Sequence, residues 1–259
     1  MPIDPDFDMI DFFDQTEESV RQQTLGGFAN VHNEIVCAVD LLVKQGEFIV
    51  ENIDPISNDG NFQFLASLSF YRCPYTLKSV DYLWLRGYYT EAMVLVRHLY
   101  ESYAAVRYFH EHRDRILTHL TATRSKDRVR FIDMFDHIAP GFYHRFYGQM
   151  SSFAHGGPIT AAMRTKHEAS GVPGTVIVGL EFNVETASVV GEYYTLNIIY
   201  AFLQHANTFF PTHRDRASAQ LLTELDQLRD RLRAQIDDPR THSDFEADHR
   251  NIMIPFLTN

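Results

Sequence analysis

Residues 91–112, which read EAMVLVRHLYESYAAVRYFHEH, carry apolar side chains on nearly every side of a helix. A helix that is apolar all round is usually buried inside a larger structure, not laid across its surface. Thr90 offers an N-cap hydroxyl and Glu91 an acidic group in the first turn, and both are typical of a helix start. The stretch therefore predicts a central helix against which other helices pack.

The sequence on either side predicts more helices. Before it, apolar residues recur at helical spacing over 25–43 and over 61–86, and a D-x-x-E capping pattern at Asp14 places the first helix start near residue 15. Pro74 lies inside the second pattern, where its ring should kink or break the helix. The further stretches with helical patterns are 113–122, 126–138, 143–155, 183–210 and 213–236.

Helices joined by short connections favour an all-α, up-and-down helical bundle. We expect one bundle domain over 15–238, preceded by an acidic arm at 1–14 and followed by a charged, solvated tail at 239–259. The arm is either loosely ordered or docked on a neighbouring subunit. Residues 158–182 are the exception, because their β-branched run GTVIVGLEF leaves open one short β-hairpin near 162–181.

Composition narrows the classes of function. The formal net charge of −11 disfavours nucleic-acid binding and binding to anionic membranes, because both usually need a basic surface. Cys37 and Cys73 form neither a CxxC pair nor a disulfide framework, which fits a reducing compartment. The acidic N-terminus lacks a signal-peptide pattern, and no apolar run approaches the about 20 residues that span a bilayer. We therefore expect a soluble, cytoplasmic protein.

Arg97 and Glu101 form the first candidate site. They are four residues apart on the central helix and share a face, which also carries Tyr108 among apolar residues. Charged groups in apolar surroundings are costly unless they are paired. The pair is therefore either a structural ion pair or part of a binding or catalytic cleft, and the sequence leaves both open.

A second row of polar residues lies within 143–155. Tyr143, Tyr147, Ser151 and His155 recur at intervals of four, which aligns them on one helix face just before two glycines. They form either a hydrogen-bonded packing row or a site in which His155 serves as a general acid or base, or as a phosphate contact.

No metal or cofactor is expected. The 13 histidines fall into no HExxH or Cys/His zinc pattern, and neither a Walker loop, a G-x-G-x-x-G motif nor a G-x-S-x-G motif occurs. One E-x-x-H run, Glu246 to His249, lies near the end of the sequence and outside the predicted core helices.

The two polar motifs together resemble a known family. EAMVLVRHLYES, followed about fifty residues later by YGQMSSFAHGG, is similar to prokaryotic helical proteins related to the HEPN superfamily (higher eukaryote and prokaryote nucleotide-binding domains), over about 80–205. The resemblance implies a bundle that is commonly homodimeric. It also implies either a binding module or a metal-independent ribonuclease of toxin–antitoxin or anti-phage systems. Active members carry R-x4-6-H near the start of the last core helix, and this chain departs from that pattern, since Arg145 precedes His155 by ten residues. The matching positions are Ala92, Leu95, Arg97, Glu101, Ser151 and His155.

These observations leave three functions open, and whether the protein is an enzyme is among the open questions. The first is a binding or regulatory module for a nucleotide or RNA, assembled as a homodimer. The second is a ribonuclease or nucleotide-processing enzyme of a bacterial defence system, in which Arg97 stabilises phosphate charge. The third is a small-molecule enzyme with its site in the bundle core. The candidate catalytic residues are Arg97, Glu101 and His155, and the candidate ligand contacts are Tyr108, Tyr147 and Ser151.

Overall fold

A computed structural model of the protein describes residues 9–53, 59–154, 165–167, 173–176, 182–237 and 246–258. Over these residues the protein is an all-α helical bundle with two short strands, so the fold class predicted from helical periodicity is confirmed. None of the helices in these ranges is both long enough and apolar enough to cross a bilayer.

Three long helices form the frame of the bundle. They are α1 (Met9–Asn52), α2 (Gly60–Leu85) and α3 (Tyr89–Glu111). α2 packs along both α1 and α3. About half of the α3 residues are buried, including Leu99 and Tyr103, as the all-round apolar pattern predicts.

The later elements surround α3 and close the core. α3 contacts α5 (Phe131–Ile138), α6 (Gly148–Ala154) and α8 (Leu196–Phe209), while α10 (Ala219–Asp237) packs on α8 and α1. The elements after α3 are a 3₁₀ turn (Arg113–Arg115), α4 (Ile116–Thr121), a second 3₁₀ turn (Ser125–Asp127), α5 (Phe131–Ile138), a π-helical turn (Tyr143–Tyr147), α6 (Gly148–Ala154), β1 (Thr165–His167), β2 (Pro173–Val176), α7 (Val184–Ser188), a π-helical turn (Val189–Thr195), α8 (Leu196–Phe209), α9 (His213–Arg216), α10 (Ala219–Asp237), α11 (Glu246–Asp248), a π-helical turn (His249–Met253) and α12 (Ile254–Thr258).

The two strands are an isolated antiparallel pair. β1 and β2 lie inside the range in which the sequence left a hairpin open, and Thr165 is opposite Val176. Only three and four residues long, they add little to the architecture.

The junction between α2 and α3 is a glycine C-cap. Gly87 has a positive φ of 83°, a conformation that other residues adopt only at a cost. The Tyr88 N–H donates to the Leu83 carbonyl at 3.0 Å, and the Gly87 N–H donates to the Trp84 carbonyl at 3.2 Å. This is the Schellman arrangement, and it ends α2 at Leu85, next to the end of the helical pattern at residue 86.

The first helix begins earlier than the sequence indicated. It starts at Met9 and not near residue 15, so part of the expected arm is helical. Asp11 lies in the first turn, where the helix dipole favours an acidic group, and the Thr16 hydroxyl donates to the Phe12 carbonyl at 2.7 Å. A capping pattern inside a helix can therefore be mistaken for its start. Non-helical torsions occur instead at Phe28, directly after two glycines.

The break that Pro74 could cause does not occur. α2 continues through Pro74, which is buried inside the bundle. The ring removes one backbone hydrogen bond, but the surrounding α1 and α3 hold the helix together on both sides of it.

The C-terminal segment is not a solvated tail. Phe256 is completely buried and stacks on Phe142 with a centroid distance of 3.9 Å. His249 is also buried, with its Nε2 3.0 Å from the Ile236 carbonyl, and burial lowers its pKa. The expectation of a solvated tail over 239–259 is thus wrong over 246–258. The charged residues there were given more weight than the apolar residues that pack on the bundle.

Trp84 ties the later helices to α2. Its ring is fully buried, and its Nε1–H donates to the Ala187 carbonyl at 2.8 Å. Gly191 lies directly against this ring, since a Cβ added there would be 2.6 Å from Trp84 Cε2. The absence of a side chain at Gly191 therefore allows this close approach.

A candidate polar site on the central helix

Arg97 and Glu101 occupy successive turns of α3 on the side that faces α6. Arg97 Nε donates to Glu101 Oε1 at 2.9 Å, which confirms the pairing expected from their spacing. Their side chains are 22% and 15% exposed, so the ion pair is shielded but reaches solvent.

The second polar row supplies two more members. The Tyr147 hydroxyl donates to Glu101 Oε1 at 2.8 Å, and the Arg97 Cζ lies 5.1 Å from the centroid of the Tyr147 ring. The Ser151 Oγ accepts a long hydrogen bond from Arg97 Nη1 at 3.5 Å. The structure thus brings together Arg97, Glu101, Tyr147 and Ser151, and we call these four residues the Arg97 cluster.

A π-helical turn places Tyr147 in the cluster. Such turns change the direction in which successive side chains project, and they recur at functional sites. Here the turn spans Tyr143–Tyr147, and the rings of Tyr143 and Tyr147 stack with centroids 4.8 Å apart. Phe135 packs 5.0 Å from the Tyr147 ring. The tyrosine is therefore held on two sides before it reaches Glu101.

The cluster keeps Glu101 ionised. Burial raises the pKa of Glu101, but the surrounding donors outweigh it and hold the pKa below its ordinary value. Tyr147 and Arg97 donate hydrogen bonds, and His98 Nδ1 lies 3.9 Å from Glu101 Oε2, too far for more than an electrostatic contribution. Burial and the hydrogen bond to Glu101 raise the pKa of Tyr147, so its hydroxyl remains a donor.

Of the remaining predicted site residues, Tyr108 lies apart from the Arg97 cluster. Tyr108 is two helical turns from Glu101, and its hydroxyl accepts from Arg115 Nη1 at 2.7 Å. Its ring lies 4.4 Å from that of His112, so it belongs to a separate group of side chains. His155 lies outside the described residues.

Three arginines, Arg97, Arg107 and Arg145, differ in their partners and burial. Arg97 is paired with Glu101, and Arg145 forms an ion pair with Asp248. Arg107 is buried in the interior, ten residues and about 15 Å along α3 from Arg97.

Sequence reasoning missed a buried polar cluster around Arg107. Its Nη1 donates to His205 Nε2, while Tyr103 Oη lies 2.8 Å from His205 Nδ1. Because arginine can only donate, Nε2 carries the lone pair and Nδ1 the hydrogen. Burial, followed by the charge of Arg107, lowers the pKa of His205 to about 4, so this histidine is neutral. The spacing of four between Tyr103 and Arg107 on α3 indicates that they share a face, but nothing in the sequence links them to His205.

Metal binding finds no support in the arrangement of the described side chains. Within the ranges that the structure covers, no three His, Cys, Asp or Glu residues are grouped so that they could hold a metal ion.

The comparisons with known proteins name no activity. Residues 63–133 match the model of a family of unknown function, DUF5677. This stretch runs from α2 through α3 to the first residues of α5, so it includes Arg97 and Glu101 but not Tyr147 or Ser151. No curated protein and no solved structure matches the chain. The resemblance to the HEPN superfamily stays a prediction from the two motifs.

Proposed function

We propose that the protein is a non-catalytic binding module that holds an anionic group, such as the phosphate of a nucleotide or of RNA, at Arg97. The observation that carries this proposal is the fixed position of the guanidinium. Glu101 anchors Nε, the Tyr147 ring lies under Cζ, and Ser151 accepts from Nη1. An arginine held in this way loses little conformational entropy when its planar fork meets a phosphate or carboxylate.

The electrostatics of the cluster favour binding over acid–base catalysis. An efficient general acid or base has a pKa near the working pH. The pKa of Glu101 is lowered and that of Tyr147 is raised, so both move away from neutrality. These two groups therefore keep Arg97 in place and do not exchange protons at neutral pH.

A second copy of the chain is the protein partner that we propose. α2 presents large apolar side chains, each 41% to 54% exposed. The first four are spaced by four, three and four residues, as in a helix–helix seam, and the fifth follows after seven, beyond the exposed Lys78. Large apolar side chains that lie together on one exposed face often mark an interaction site. We place this homodimer in the cytoplasm, since Cys37 and Cys73 are both free thiols. The members of this α2 stripe are Phe64, Leu68, Tyr71, Tyr75 and Tyr82.

Fluorescence anisotropy with labelled ATP and a labelled single-stranded RNA tests the binding proposal. Arg97→Ala should weaken binding by about tenfold or more, and Arg97→Lys should recover part of it, because lysine keeps the charge but lacks the fork. Arg130→Ala is the matched control, since Arg130 is an exposed arginine that is paired with Asp133.

Equal affinities of wild type and Arg97→Ala for both probes would refute the proposal. The same samples should be examined for RNA cleavage. If wild type cleaves RNA and Arg97→Ala does not, the protein is a ribonuclease and the proposal of a non-catalytic binding module is wrong.

A further inference from the structure

The exposed face of α2 includes a lysine among its aromatic and apolar side chains. The five members of the α2 stripe and Lys78 follow one another at intervals of four, three, four, three and four residues. This alternation is that of a heptad seam, along which two helices pack side by side. At 1.5 Å per residue the stretch 64–82 is about 27 Å long, so the seam occupies most of α2.

The intervals of this seam read the same in both directions. In a two-fold homodimer each residue i of one copy contacts a residue j of the other, and j contacts i. When two copies of α2 run antiparallel about an axis midway between 71 and 75, Tyr71 meets Tyr75 of the partner subunit. All six seam positions are then paired, and the two further pairs are Leu68 with Lys78 and Phe64 with Tyr82.

Lys78 disfavours the parallel alternative. Two parallel copies related by an axis along the helices place every seam residue against its own counterpart, so Lys78 would face Lys78 of the partner subunit. Like charges brought together at an interface are costly. In the antiparallel arrangement Lys78 instead crosses Leu68 of the partner subunit, and its methylene stem can cover this leucine while the ammonium group extends past it.

The neighbouring helix α1 supplies a carboxylate beside the same seam. A Cβ added at Gly46 would lie 3.3 Å from the Tyr71 Cα, so α1 crosses α2 closely at this point, and the exposed Glu47 follows directly. The hydrogen bond with Tyr71 and, to a smaller extent, the charge of Glu47 raise the pKa of Tyr75. Glu47 therefore lies within electrostatic reach of the α2 stripe. Among the residues that the structure describes, neither Glu47 nor Lys78 has an ion-pair partner.

We propose that two copies of the protein pair antiparallel along α2, with Lys78 of each copy bound to Glu47 of the other. This arrangement rests on the homodimer proposed above and specifies its geometry. Lys78 follows Tyr75 by about one turn, and Tyr75 meets the partner's Tyr71, next to which the partner's Glu47 lies. The flexible four-carbon stem of lysine spans the rise of about 5.4 Å per turn. Two charges that are unpaired in the single chain thus neutralise each other in the dimer.

Charge reversal at these two exposed positions tests the arrangement. Lys78→Glu and Glu47→Lys each create like-charge contacts on both sides of the axis, so each variant alone should dimerise at least about tenfold more weakly than wild type in sedimentation velocity. An equimolar mixture of the two variants should dimerise about as tightly as wild type, because both contacts then join opposite charges. Lys126→Glu, in the second 3₁₀ turn and also exposed, is the matched control and should dimerise like wild type.

Two results would overturn the antiparallel arrangement and leave the homodimer standing. One is a Glu47→Lys protein that dimerises like wild type, which is the result that parallel pairing predicts. The other is a pair of weakened variants that stay monomeric when mixed. A monomeric wild type would refute the homodimer and its geometry together. All of these outcomes are separate from the Arg97 proposal, which the nucleotide and RNA titrations decide.

Discussion

Replacing Gly191 with alanine separates helix propensity from packing, because the two predict opposite results. Gly191 lies inside a helical segment, where alanine is favoured over glycine by about 1 kcal/mol. In the structure, however, the new Cβ would lie 2.6 Å from both Cε2 and Cζ2 of Trp84. The indole cannot retreat freely, since it is fully buried and its Nε1–H is bonded to the Ala187 carbonyl.

The expected net effect of Gly191→Ala is a loss of about 2 kcal/mol. Overpacking costs about 1–3 kcal/mol, and displacement of the indole would forfeit a hydrogen bond worth about 1 kcal/mol. The gain in helix propensity offsets about 1 kcal/mol of this. For a chain of this size such a loss lowers the melting temperature by about 4–8 °C.

Urea unfolding followed by tryptophan fluorescence measures this effect directly, because Trp84 is the sole tryptophan. Gly26→Ala is the matched control, since a Cβ at Gly26 meets nothing within 4 Å. The control should be neutral or slightly stabilising, and the emission maximum should shift in Gly191→Ala but not in the control. A Gly191→Ala protein as stable as wild type would refute the packing argument.

Three other perturbations follow from the same structure. Arg97→Ala should lower the free energy of unfolding by about 1–3 kcal/mol. The loss is smaller than for a fully buried ion pair, because Glu101 keeps Tyr147 as a hydrogen-bond partner. An unchanged melting temperature would show that the Arg97–Glu101 pair does not stabilise the fold. His205 has its pKa lowered to about 4, so between about pH 6.5 and pH 4 the unfolded state binds a proton that the folded state does not, and stability falls as the pH falls. Between pH 7.5 and 5.5 wild type should therefore lose about 1 kcal/mol more than His205→Gln, and equal losses in urea titrations would contradict the assignment. Tyr71→Glu, in the α2 stripe, should yield a monomer by light scattering if two copies pair through it, and an unaltered mass would exclude that surface.

The fold could be predicted where the signal was local and periodic. The all-round apolar pattern of α3, the stop at Gly87 and the Asn183 cap, whose side chain accepts from the Thr186 N–H at 2.8 Å, all depend on neighbouring residues. The same rules misplaced the start of α1, because a capping pattern also occurs inside that helix. They misjudged 246–258 because tertiary contacts bury its apolar residues.

The candidate site was predictable in part for the same reason. Arg97 and Glu101 meet through a spacing of four on one helix, which the sequence displays. Tyr147 joins them through a π-helical turn. Tyr147 was predicted from the spacing of a regular α-helix, which does not describe this turn. The contact between Arg107 and His205 depends on how α3 meets α8, and no pattern along the chain contains that information.

The burial of Phe256 affects how the bundle can fold while the chain is being synthesised. Synthesis proceeds from the N-terminus, so α3, α5 and the aromatic side chains between them leave the ribosome well before α12 does. Until then the rings of Phe142 and Tyr100 lack the residue that covers them, and the nascent bundle presents an open aromatic surface. Until α12 has been synthesised, this aromatic surface is therefore open to aggregation and to chaperones.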